Sequence, residues 1–208
     1  MKEKIIKNAI ALFNEHSISS VSMKQIADTL KISAGNLQYH FKNKEALLFK
    51  IYEEMHQEAL HYILPENKYI TLHHFEEMML KFDDLQQRYQ FFFNDIVHII
   101  KKYPSIGKLH ETSNLIRFRE GRKLIDYYVE SGRMAPETDG VDYDKVVFSV
   151  WMISTFWQSQ RQVIQTSAYQ INKCPSIEML WNLLIPYLSE KGWEEYQQIR
   201  KFVKLPTK

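Results

Sequence analysis

The spacing of apolar positions is helical along most of the chain. Ile6, Ala9, Ile10 and Phe13 recur at i, i+3, i+4 and i+7, which places them on one face of a helix over 2–13. Residues 17–20 interrupt that pattern, and it resumes with Met23, Ile26, Ala27 and Leu30. Ser22 followed by Gln25 forms a capping box, in which each side chain satisfies a free backbone N–H of the first turn. Ser33 is placed to cap a short third helix ending near Phe41. Asn43 is placed to cap a longer fourth one carrying Leu47, Leu48, Ile51, Tyr52 and Met55. Further helices are predicted at about 71–80, 82–101, 105–131, 142–166 and 176–203. Pro65, Pro104, Pro136 and Pro175 fall in or beside the breaks, where a missing N–H does no harm, and Pro186 should kink the last segment. Alternating strand-length runs, fixed-period repeats and low-complexity tracts are absent, so the fold class is all-α.

The N-terminal pattern has a specific geometric meaning. Two short capped helices joined by a very short turn, packed on a preceding helix, make a helix-turn-helix. Its second helix enters the major groove with its N-terminal side chains toward base edges. Small Ala34 and Gly35 allow close approach of backbone to DNA. The amides Asn36 and Gln38 suit adenine or other base edges. Leu37 and Phe41, four apart, face the domain core. Tyr39 and His40 can donate to phosphates, Lys44 can pair with one, and the helix N-termini at Ser22, Ser33 and Asn43 offer free N–H groups to anions. Each residue also has a plain structural reading: capping for Ser22, Ser33 and Asn43, packing for Tyr39, a surface position for His40 and Lys44. The constellation is far less ordinary than any member.

Charge sharpens this picture. The 208 residues carry a net +2, which is almost uninformative as a total. Residues 1–50 hold eight lysines against four acids, a net +4, and the remainder is at −2. A division into a DNA-binding domain at 1–50 and a larger helical domain at 51–208 follows. Six glycines and six prolines disfavour turn-rich β folds and collagenous chains. Cys174 is the one cysteine, which excludes an internal disulfide and a cysteine-rich zinc site and suits a reducing compartment. The first residues lack the apolar core of a leader, and no stretch reaches the roughly 18 apolar residues of a membrane helix. A cytoplasmic protein with no membrane partner is expected.

The stretch Val21-Ser22-Met23-Lys24-Gln25-Ile26-Ala27, followed by Ser33-Ala34-Gly35-Asn36-Leu37-Gln38-Tyr39-His40-Phe41-Lys42-Asn43-Lys44-Glu45-Ala46-Leu47, resembles the DNA-binding domain of TetR-family transcriptional regulators. Tyr89-Gln90-Phe91-Phe92-Phe93-Asn94-Asp95 and Pro186-Tyr187-Leu188-Ser189-Glu190-Lys191-Gly192 resemble the branch called bacterial transcriptional repressors. The resemblance implies a homodimer on a double-stranded DNA operator. Its contacts would come from Ser22, Lys24, Ser33, Ala34, Gly35, Asn36, Gln38, Tyr39, His40 and Lys44. Many relatives carry an aromatic where this chain has Gln38, so that amide is either a base reader or a phosphate contact.

The resemblance also implies a larger effector-binding and dimerisation domain, with a small-molecule pocket between the segments at 82–101, 105–131 and 142–166. Phe92, Asp95, Ile96, Arg117, Tyr127 and Trp151 are its candidate lining. Asp95, His98 and Arg117 stand out as polar groups among apolar neighbours. The last two long segments would pair with those of a second subunit as a four-helix bundle. Val147, Val150, Trp151, Ser154 and Trp157 share one face, as do Leu180, Leu183, Leu184, Tyr187 and Leu188 further on.

Catalytic readings find little support. Glu53-x-x-His56 and Glu58-x-x-His61 resemble half of a di-iron carboxylate motif, but that chemistry needs such pairs on two helices. No glycine-rich phosphate loop is present, and nothing around Cys174 forms a motif. No cofactor and no metal are expected. The expectation is a repressor released from its operator by a small molecule. The alternatives are an activator, or a regulator controlled by a protein partner.

Overall fold

The computed structural model describes residues 1–62, 69–164 and 174–202. Among them the regular structure is helical, with one isolated β-bridge between Met134 and Leu188. The helices are α1 (Lys2–Ser20), α2 (Met23–Thr29), α3 (Ala34–His40), α4 (Lys44–Leu60), α5 (Leu72–Arg88), α6 (Gln90–Asn94), α7 (Ile96–Lys102), α8 (Pro104–Glu130), α9 (Tyr143–Val163), α10 (Ser176–Leu184) and α11 (Glu190–Phe202). Pro65 and the ends of the segments predicted to reach 166 and 203 lie outside the described residues.

Three boundaries differ from those the sequence predicts. The interruption at 17–20 is a kink rather than an end: α1 continues to Ser20 through Ser17, whose φ of 67° no helical residue adopts. The predicted break near residue 81 is absent, and α5 runs on to Arg88. The predicted segment at 82–101 is instead broken at Tyr89 and Asp95. Neither glycine nor proline marks that first break. Its cause lies in α1, where Asn14 donates to the Arg88 carbonyl at 3.0 Å and accepts from the Phe91 N–H at 2.9 Å. One side chain thereby satisfies backbone groups that a helix end leaves open. Pro186 does interrupt the last segment, within a single 3-10 turn at Ile185–Tyr187.

The chain forms two compact units. The first comprises Met1–His61 and Asp84–Ser113, the second the described residues of 62–83 and 114–208. Residues 84–113 thus belong to the same compact unit as the N-terminal helices. The first unit is built on Ile5, Phe13, Ile26, Leu37, Leu47 and Ile51, joined by Leu85, Phe92, Ile99 and Ile106. Buried polar groups tie α4 to α8: the Tyr52 hydroxyl lies 2.8 Å from His110 Nδ1, and Ser113 Oγ 2.7 Å from His56 Nδ1.

The core of the second unit holds Leu72, Phe75, Tyr128, Tyr143, Val146, Leu180, Trp181 and Leu184. Glu76 is fully buried among them and accepts from Trp181 Nε1 at 3.1 Å and Arg200 Nη2 at 2.6 Å. Arg133, equally buried, donates to Glu195 at 2.6 Å. Removing either partner would strand a buried charge. Gly192 is obligatory by space: a Cβ there would sit 2.0 Å from the Arg133 carbonyl oxygen. Four of the ten residues on the two faces expected to meet a second subunit are buried within the unit, and the other six are half-buried. Val147 and Ser154, and Leu180 and Leu184, are buried in the unit's own structure.

Candidate nucleic-acid interface

Local sequence builds α2 and α3 almost completely. Ser22 accepts from the Gln25 N–H at 3.2 Å, and the Ser22 N–H donates back to Gln25 Oε1 at 2.7 Å, closing the capping box. The end of α2 is turned by Lys31, with φ at 55°. The Lys31 N–H reaches the Asp28 carbonyl and the Ile32 N–H reaches that of Ala27, both at 3.0 Å. That pair of bonds is a Schellman motif, here with a lysine where glycine is commonest. Ser33 then accepts from the Asn36 N–H at 3.1 Å and starts α3. Asn43 accepts from the Ala46 N–H at 2.8 Å and starts α4.

Burial divides α3 cleanly. Leu37 is 1% exposed and Phe41, just past the helix, 6%, so both anchor it in the core of the first unit, where Ile26 and Ala27 are also buried. Ser33, Ala34, Gly35, Asn36, Gln38 and Tyr39 are all exposed, Tyr39 to 86%, and His40 is half-exposed. Tyr39 and His40 meet edge to face at 5.2 Å, which holds both rings at the end of the surface. A Cβ at Gly35 would find only Ser33 Oγ, at 4.0 Å, so nothing in the fold requires glycine there. Ser22 and Lys24 are exposed on the preceding helix. Nine of the ten residues named for DNA thus present accessible side chains or backbone, held by a buried seam behind them.

Lys44 is the tenth, and it is placed differently from a solvated surface cation. Its ammonium donates to the carbonyls of Ile18 and, at 2.5 Å, Val21, at the end of α1. It also stands 5.7 Å from the centre of the Phe13 ring. Burial and then the nearby Lys102 hold its pKa below the usual lysine value. The side chain therefore fastens the end of α1 to the start of α4.

The six residues named for a ligand are not gathered within either unit. Phe92, Asp95 and Ile96 belong to the first, Arg117, Tyr127 and Trp151 to the second. Phe92 lines a small apolar cavity of about 10 Å³ with Leu48, Ile51, Tyr52, Met55 and Ile99. That is room for about one water molecule. Asp95 and His98 are exposed rather than set among apolar neighbours. Arg117 lies 5.3 Å from the Phe82 ring centre, the Tyr127 hydroxyl accepts from the Ile70 N–H at 3.1 Å, and Trp151 Nε1 donates to Asn114 at 3.2 Å.

The half-motif for a metal is engaged in other interactions. Glu53 pairs with Lys50 at 2.7 Å, Glu58 with Arg88, His56 with Ser113, and His61 Nδ1 with the Gln57 carbonyl at 2.7 Å. Among the described residues no cluster of three or more metal-binding side chains occurs. Burial and the adjacent Glu178 push the Cys174 thiol up to about 11, opposite to the shift that activates a nucleophile. No helix of the described residues is long and apolar enough to cross a membrane.

A capped two-helix unit with an exposed, small-residue and amide-rich second helix defines a helix-turn-helix DNA-binding regulator. Known proteins agree with that class. Residues 5–51 match the model of bacterial regulatory proteins of the tetR family, and 52–196 match that of bacterial transcriptional repressors of the TetR type. The chain belongs to the TetR family of transcriptional regulators. It is 30% identical over 176 residues to the biofilm operon icaADBC HTH-type negative transcriptional regulator IcaR of Staphylococcus epidermidis, covering 80% of this chain and 90% of that one. In fold it is similar to a TetR-family regulator from Marinobacter aquaeolei, with a TM-score of 0.86 at 22% identity over 97% of both chains. A complex of SmeT with triclosan shares the fold at a TM-score of 0.65 and 15% identity, over 91% of this chain and 92% of that one.

Proposed function

We propose that the protein is a cytoplasmic homodimeric repressor that lets go of its operator when a small molecule binds the larger domain. Regulation here works by binding, not catalysis, and needs no cofactor. The observation that carries the DNA-binding part is the division of α3 into a buried Leu37 seam and an exposed Ala34, Gly35, Asn36, Gln38 and Tyr39 surface. Two such helices in a dimer read half-sites about 34 Å apart, or a multiple of that. The sign of regulation is drawn from the relative named as a negative regulator. Control by a ligand is drawn from the structural neighbour complexed with triclosan. A ligand that favours a conformation with mismatched spacing weakens operator binding by its coupling free energy, typically about 1–3 kcal/mol.

Selection of bound fragments from genomic DNA tests the first half. A single enriched palindrome overlapping a promoter supports repression. Enrichment only upstream of promoters favours an activator, and no enrichment removes the operator reading. A thermal-shift screen of small molecules, followed by operator release measured by fluorescence anisotropy, tests the second half. Stabilising compounds that leave the complex intact would favour control by a protein partner.

A further inference from the structure

The first unit carries a second cluster of positive charge, outside the helix-turn-helix. Lys101 and Lys102 end α7, and Lys108 follows in the second turn of α8. All three are exposed, and among the described residues none of them forms an ion pair. This corner packs beside the start of α4, because Ser105 Oγ donates to Glu45 Oε1 at 3.1 Å. The start of α4 in turn follows the reading helix after a gap of three residues, 41–43. Lys42, Lys44, Lys101, Lys102 and Lys108 therefore belong to one stretch of the unit, with Glu45, Asp95 and Glu111 the acids nearest to them in sequence.

Two explanations compete for these lysines. A cation in the last turn of a helix favours its dipole, and Lys102 also lies 5.8 Å from the Tyr103 ring centre. That accounts for Lys101 and Lys102. It does not account for Lys108, which stands near the positive end of α8, where the dipole offers a cation nothing. Nor does it account for Lys102 lying near Lys44, whose pKa is held down first by burial and then by that second cation. Crowding like charges is unfavourable in the free protein and is relieved by a polyanion, whose condensed counterions are then released.

We propose that Lys101, Lys102 and Lys108 form an accessory clamp on the duplex backbone, beyond the base pairs that α3 reads. The clamp adds affinity and register without sequence preference, as phosphate contacts do. It predicts a footprint longer than the helix-turn-helix alone would protect.

The test uses the full-length protein and a fluorescein-labelled duplex of arbitrary sequence, with dissociation constants measured over a range of salt. In K101Q/K102Q/K108Q the log–log salt slope should become shallower by about 0.9 for each phosphate no longer neutralised, or roughly eightfold in affinity per phosphate at 0.1 M salt. K101R/K102R/K108R should keep the wild-type slope, and the selected-site profile of both variants should match wild type. An unchanged slope in the glutamine variant overturns the clamp, and a lowered melting temperature with that unchanged slope assigns the lysines to helix dipoles alone. Failure of the wild-type protein to bind any duplex would instead count against the regulator itself.

Discussion

Lys44 and Gln38 look alike in the sequence, as polar side chains beside a DNA-binding motif, yet the structure separates them. The Lys44 ammonium serves the carbonyls of Ile18 and Val21, so its removal leaves two part-buried acceptors without a donor. Lys44→Met should cost about 1–3 kcal/mol of stability, the usual penalty for an unmade buried hydrogen bond. Denaturant unfolding checks this, and a wild-type midpoint would show that water replaces the ammonium at no cost. Gln38 is exposed beside the buried Leu37 and makes no contact that the core needs. Gln38→Ala should leave stability unchanged and relax preference at one base position by about 1–3 kcal/mol. Identical selected-site profiles for the two proteins would remove Gln38 as a reader.

At the scale of the element, α3 carries a cost that its fold does not require. Glycine within a helix destabilises it by about 0.5–1 kcal/mol relative to alanine. The space around Gly35 is open, so alanine fits without displacing anything. Gly35→Ala should therefore raise the unfolding free energy by up to about 1 kcal/mol while weakening operator binding, because the added methyl meets the DNA. A variant both more stable and equally tight on the operator would show that the backbone at Gly35 does not approach the duplex. The caps of α2, α3 and α4 were legible in the sequence because each closes within three residues: Ser22 with Gln25, Ser33 with Asn36, Asn43 with Ala46. The break at Tyr89 was not, because its cause is Asn14, some 75 residues away in sequence. The kink at Ser17 is intermediate. The interrupted apolar spacing marked it, but spacing does not tell a bent helix from an ended one. For the ligand candidates, periodicity placed the residues on helices and said nothing of which helices share a unit. Lys101, Lys102 and Lys108 were invisible as a group because Ser105 and Glu45, which bring them beside α4, are unremarkable in the sequence.

For the whole molecule, the proposed dimer needs a face on which two copies meet. The faces that periodicity assigned to a partner contain Val147, Ser154, Leu180 and Leu184, which the second unit buries for itself. The same unit leaves other apolar side chains exposed. Phe148 is 50% exposed and Met152, one turn on, 41%, both on α9, while Leu115 on α8 is 62% exposed. Phe118 and Trp151 lie half-buried behind Phe148, at ring distances of 5.9 and 5.4 Å. An exposed Phe148 joined to the Phe118 and Trp151 rings is a candidate interaction surface. A self-complementary patch on each of two copies is what a two-fold interface needs. Phe148→Glu with Met152→Glu would put two carboxylates opposite their own copies across that axis. The variant should sediment as a monomer where the wild type sediments as a dimer. Its own helices should stay folded, since neither side chain belongs to the buried core. Operator binding should fall to the level of one half-site, because two reading helices act together only while the interface holds their spacing. A dimer that survives the double substitution would move the interface away from this face of α9.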